Sequence, residues 1–157
     1  MIVYRIGMSP LAVTPPTREE LGSMDAHERT ATLEVLNRAA RQVEAAIVAV
    51  VDTADRAGDW LVDGHRSTAA WLTATTNCSY GEARARVQTA HVLRSLPAVR
   101  DSFDSGGVGI AQVREIARVG SNPRCGDQIA GSEQVLLDAA RQLDHRAFRV
   151  VTQRWEQ

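Results

Sequence analysis

The sequence predicts an all-α fold, a multi-helix bundle with one long N-terminal helix and a helix-turn-helix-like pair in its middle. Three observations predict it. Leu33, Leu36, Ala40, Val43, Ile47, Val50, Ala54 and Ala57 recur at alternating steps of three and four, the spacing of an apolar seam along one helix. Ser67 and Ser79 then stand before two apolar-rich segments in the manner of helix N-caps, with Asn77 and Cys78 as the turn between them. Beyond a stub at residues 2–6, no stretch alternates apolar and polar residues as a half-buried strand does.

Taken in order, residues 1–24 read as a flexible extension. Thr14-Pro15-Pro16 interrupts any regular element, and Thr17 with Glu20 has the form of a capping box seeding one helical turn that Gly22 closes. Residues 25–157 read as a single helical domain. Its long helix runs from about Asp25 to Gly58 and turns its seam toward the rest of the domain; the opposite face mixes Glu34, Arg38, Arg41, Asp52 and Asp55 with Val35, Val48 and Val51. The alternative use of the seam is a coiled coil between copies, a homo-oligomer through the 33–57 helix.

Residues 58–66 read as a loop that tucks Trp60 and Leu61 under the long helix. Asp59, Asp63 and His65 in that loop fit caps and turn formers better than a metal or acid-base site. In the helix from Ser67, Trp71 is expected to be a buried core anchor with Leu72 beside it. Ser79 should cap the next helix while Glu82, three residues on, reaches back to the cap amide. At 100° per residue that second helix is apolar on most sides and leaves one polar strip, Arg84, Gln88, His91 and Ser95. Arg86 falls on the apolar arc and must snorkel or meet a carboxylate, with Glu82 one turn away.

Pro97 suits the first turn of the following helix, which carries Val99 and Phe103 inward and stops at Ser105-Gly106-Gly107. A further helix after Gly109 places Ile110, Val113, Ile116 and Ala117 on one side and Arg114 and Arg118 on the other. Its glycine-rich start lacks the following Lys-Ser/Thr of a phosphate-binding loop, so nucleotide binding is not expected. Residues 120–131 read as a loop. Ser132 should cap a helix that packs Val135, Leu136, Ala139 and Leu143, and Asp144 a last one with the stripe Phe148, Val151 and Trp155.

The run Asp63-Gly64-His65-Arg66-Ser67-Thr68-Ala69-Ala70-Trp71-Leu72, continuing through Ser79-Tyr80-Gly81-Glu82-Ala83-Arg84-Ala85-Arg86-Val87, then Leu96-Pro97-Ala98-Val99-Arg100 and Gly109-Ile110-Ala111-Gln112-Val113-Arg114-Glu115-Ile116-Ala117, resembles the N-terminal part of domain-of-unknown-function family 222. That family includes the mycobacterial 13E12-repeat proteins of actinobacteria. The resemblance covers about residues 33–155, and Arg-Ser-Thr-Ala-Ala-Trp-Leu is its most specific piece. It implies a helical region of the kind that precedes an HNH endonuclease domain. Any such nuclease domain would lie beyond Gln157, so the chain is expected to be truncated at its C-terminal end.

Length and composition bound the function. A chain of 157 residues can bury one core, and a net charge of −1 does not describe a strongly basic nucleic-acid module, which leaves a local patch as the route to a polyanion. All eighteen basic residues are arginine. Cys78 and Cys125 are too far apart in sequence for a Cys-x-x-Cys zinc pair and read as free thiols of a cytoplasmic protein. No signal peptide or membrane span is expected. The histidines His27, His65, His91 and His145 are dispersed, unlike the clustered ligands of a metal nuclease. The expectation is a module with no catalytic residue, metal, cofactor or small-molecule substrate, which assists DNA binding through Arg84, Arg86, Gln88, His91, Arg114 and Arg118. Trp71, Leu72, Ser79 and Glu82 are its structural anchors. The alternative is a protein–protein interaction or homo-oligomerisation module.

Overall fold

The computed structural model describes residues 13–156. Among them are nine α-helices, one 3₁₀ helix and no strand, so the all-α expectation holds. The stub at residues 2–6 and most of the expected extension lie outside the described residues. The chain divides into two units, Met1–Ala40 and Arg41–Gln157.

In the first unit, α1 (Arg18–Ser23) opens with the expected capping box: the Glu20 amide donates to Thr17 Oγ1 at 3.2 Å and the Thr17 amide to Glu20 Oε2 at 2.7 Å. Gly22 lies inside this helix, which ends where Met24 turns to extended backbone. Asp25 and Glu28 repeat the reciprocal device at the start of α2 (Ala26–Ala57), with both bonds at 2.8 Å. Leu33 and Val35 are exposed on this part of α2.

The second unit begins within α2 and continues through α3 (Asp59–Val62), α4 (Thr68–Thr76), α5 (Tyr80–Leu93), α6 (Pro97–Asp104), α7 (Ile110–Gly120), a 3₁₀ helix (Gly126–Ser132), α8 (Glu133–Gln142) and α9 (His145–Trp155). Helix α5 packs on α4 and α7, α7 on α9, and α6 on α8. Leu96, Val99, Phe103, Val113, Ile116, Leu136, Leu137 and Phe148 are fully buried between them. Gly58 ends α2 in the left-handed region at φ 74°, and Asn77 does the same after α4 at φ 54°. Helix α6 starts with Pro97 at its first position and has no side-chain cap of its own. Glu133, from the start of α8, accepts the Val99 amide at 2.9 Å instead, setting a carboxylate at the positive end of the helix.

Several expectations are corrected. On the second unit's part of α2 the buried residues are Ala45, Val48, Val51 and Ala54; of the expected seam, Ala54 is buried and Ile47 packs half-buried against the core, whereas Val43 and Val50 are exposed, Val50 at 61%. The packing face is therefore the one that carries Glu44, Asp52 and Asp55, because these acids meet Arg86, Arg94 and His91 of α5 and its C-terminal end. Residues 59–62 form a short helix rather than a loop, and Leu61 is exposed at 63%. Trp71 is only half-buried. Its indole N–H donates to Asp63 at 2.9 Å, while Leu72 and Ala69 supply the buried face of α4. Residues 126–132 form the 3₁₀ helix inside the expected loop, and Ser132 gives no side-chain cap but accepts the Trp155 indole N–H at 3.1 Å. Val135 is exposed, and the buried face of α8 is Leu136, Leu137 and Ala140.

Two glycines in this unit are required by close approach. A Cβ on Gly120 would stand 2.7 Å from Val92 Cγ1, and one on Gly126 only 2.3 Å from the Gly120 carbonyl oxygen. The backbone after α7 thus folds back onto its own last turn, and Cys125 packs half-buried against the core beside it.

Candidate functional site

The expected cations fall into two groups. Arg86, whose side chain is 14% exposed, reaches across from α5 to α2: its Nε and Nη2 donate to the two Glu44 oxygens at 2.8 and 3.1 Å, a forked pair. Glu82, one turn earlier, is 3.4 Å away, and Arg114 of α7 also donates to it. Two guanidiniums and two carboxylates so cancel. Glu82 is drawn into this cluster, which is why Ser79 accepts the Glu82 amide at 3.1 Å while the reciprocal half of the expected capping box is absent. Hydrogen bonding to Glu44 holds the Arg86 guanidinium above its ordinary pKa, against the opposing effect of burial. Arg118 Nη1 donates to both Glu156 oxygens at 2.9 and 2.8 Å, and its Nε donates to Glu115 at 3.1 Å. One cation faces two anions there.

The second group lies along α5. Arg84, Gln88 and His91 are all exposed, as the polar strip predicts, and they line an open groove of about 720 Å³. Its other wall comes from Trp60, Arg66 and the first turn of α4, Ser67 to Ala69; Tyr80, Gly81 and Ser121 complete it. Local sequence builds this arrangement. Ser67 caps α4 by accepting the Ala70 amide at 3.2 Å, which sets Arg66 just outside the helix start. Ser79 caps α5 and sets Tyr80 at its first position, 55% exposed. Neither Arg66 nor Arg84 makes an ion pair among the described residues, whereas Gln88 is hydrogen-bonded to Ser121.

Asp55 closes one end of the groove. It accepts from Thr68, from Arg94 Nη2 at 2.7 Å, and meets His91 Nε2 at 2.8 Å. Burial alone would raise its carboxyl, but these hydrogen bonds and the charge of His91 prevail and hold its pKa at about 2. Asp52 binds Arg94 Nε at 2.7 Å and Arg56 at 3.0 Å. The acids at this end are thus matched by α5 and α2 cations, and apart from Asp55 no carboxylate lines the groove.

Arg66, Trp60 and Tyr80 were not singled out for function by sequence pattern. Arg66 lay inside the most specific segment of the family resemblance, and Tyr80 followed a strong N-cap. What signals them is that the starts of two successive helices line the same groove. Among the described residues no group of three or more His, Cys, Asp or Glu is placed to hold a metal ion, and both cysteines are unpaired and half-buried. No helix of the described residues is long and apolar enough to cross a membrane.

Comparison with curated proteins and with solved structures gave no match in either case. A family profile does match, over residues 30–154, which contain the whole of the groove and of the Arg86–Glu44–Glu82–Arg114 cluster. The chain belongs to the family described as domain of unknown function (DUF222).

Proposed function

We propose that this helical module is noncatalytic and assists nucleic-acid binding, as expected of a region that resembles those preceding HNH endonuclease domains, and that the groove beside α5 is where it touches the backbone. The observation that carries this reading is the position of Arg66 and Arg84 in one groove, exposed and without carboxylate partners among the described residues. Phosphate recognition needs cations whose charge is not already spent, and phosphate contacts supply most of the affinity of nonspecific complexes. Gln88 and His91 add hydrogen-bonding groups on the same strip. Arg86, Arg114 and Arg118 face carboxylates and serve in this reading as struts that fix α5 and α7. The test is a DNA titration at two salt concentrations. Each phosphate contact contributes about −0.9 to the slope of log K against log salt for duplex DNA, so two arginines should give a shallow but measurable dependence. Absence of binding at low salt would refute the proposal.

A second reading, self-association, is favoured by the exposure of Val43 and Val50 in the second unit and of Leu33 in the first, apolar residues of the α2 heptad pattern. Sedimentation velocity over a concentration series tests it. A sedimentation coefficient that rises with concentration, and ceases to do so in Val50→Glu, supports self-association; a concentration-independent monomer removes it.

A further inference from the structure

We infer that the groove accepts a single nucleic-acid strand with an unpaired base stacked on Tyr80, rather than the side of a duplex. This rests on the reading that the groove contacts nucleic acid, and goes beyond it in naming the form of the ligand. Three features of the wall carry it.

The first is shape. Arg84, Gln88 and His91 occupy a concavity closed on the far side by Trp60, Arg66 and the start of α4. A helix that reads a major groove presents its polar strip as a ridge entering the DNA. Here the strip is one wall of an open trough, so a ligand lying in it is met from two sides. The volume of about 720 Å³ lies within the range of roughly 300–1,000 Å³ typical of small-ligand sites, which suits nucleotide units.

The second is the exposed ring. Tyr80 stands at the first position of α5 with more than half of its surface open to solvent, although an aromatic ring gains most from burial. Its side chain takes part in no hydrogen bond among the described residues, and the ring lines the groove. An aromatic face flanked by cations is the pairing that binds single strands: the base stacks, the guanidinium holds the phosphate, and every base has a face to offer. The third is the distribution of charge. Arg66 and Arg84 belong to opposite sides of the Tyr80 turn in sequence and share its groove, while the acid Asp55 at the end is engaged by Thr68, Arg94 and His91. A backbone running along the trough therefore meets the free cations first.

The experiment is fluorescence anisotropy on the full chain at low salt, with a labelled oligothymidylate of about a dozen nucleotides and a duplex of equal length. The single strand is expected to bind more tightly than the duplex. Tyr80→Ala should weaken single-strand binding roughly five- to a hundred-fold and Tyr80→Phe should retain it, because stacking uses the ring and not the hydroxyl. Circular dichroism melting of Tyr80→Ala identifies any loss due to unfolding, and Tyr80→Leu, which keeps apolar bulk without a π face, must also lose affinity. Equal or tighter duplex binding, or single-strand binding unchanged in Tyr80→Ala, overturns the inference. If duplex binding falls in Arg66→Gln and Arg84→Gln but ignores Tyr80, the backbone-contact reading stands and only the single-strand inference fails. If neither oligonucleotide binds, both fail.

Discussion

At the scale of single residues, the fold is most sensitive where a side chain has no room or a charge has a fixed partner. Gly126→Ala would set a methyl group 2.3 Å from a backbone carbonyl that cannot rotate away, so it should destabilise more than Gly120→Ala, whose neighbour at 2.7 Å is a valine methyl. Overpacking of this kind costs about 1–3 kcal/mol, and urea unfolding midpoints of the two variants check the order. Leu72→Ala should cost about 2–5 kcal/mol, while Trp71→Phe, which keeps an aromatic ring at this half-buried position but loses the pyrrole half of the indole and its N–H bond to Asp63, should cost less, about 0.5–1.5 kcal/mol for the bond. Asp55 gives a pH signature. Its carboxyl is held at about 2 in the fold, below its ordinary 3.8, so its stabilising contribution is complete above the ordinary value and is lost as the pH falls through about 2. The gap in urea midpoint between the wild-type chain and Asp55→Asn should be widest above about pH 4 and close toward pH 2. A gap independent of pH would show that Asp55 is not ionised against its partners.

At the scale of elements, the sequence was most informative where the deciding interaction is local. Thr17, Asp144 and Ser79 cap helices, Pro97 opens one and Gly58 ends the long one, each through groups within one turn. The face on which α2 packs was not legible in the same way. Both of its stripes are apolar, and the choice between them is made by Glu44, Asp52 and Asp55 meeting arginines and a histidine some forty residues later. Hydrophobic period alone cannot see a partner at that distance. The same limit explains Glu82, which local rules assign to the cap of α5 and the tertiary structure assigns to Arg86 and Arg114. A double-mutant cycle measures the α2–α5 tie: Arg86→Met should cost roughly 1.5–3 kcal/mol, and much less in a Glu44→Gln background, because hydrogen bonds between charged groups are lost only once. Additive effects would mean that the pair contributes no coupling.

At the scale of the whole molecule, a net charge of −1 hides an uneven distribution. Most of the arginines that sequence pattern offers to DNA are neutralised within the fold, because residues that sit on one face of an isolated helix are met by acids from other helices. The polar strip of α5 was legible, and its residues do share one wall; Arg66 and Tyr80 join them only once α4 and α5 are packed. Polyanion contact is therefore assigned to a groove instead of to arginine count. The most direct test compares the salt dependence of DNA binding in Arg66→Gln/Arg84→Gln with that in Arg118→Gln, a surface arginine paired with Glu156. The groove variant is expected to lose binding and its salt slope while Arg118→Gln matches the wild-type chain. Binding that survives loss of both groove arginines and falls with Arg118 would contradict it.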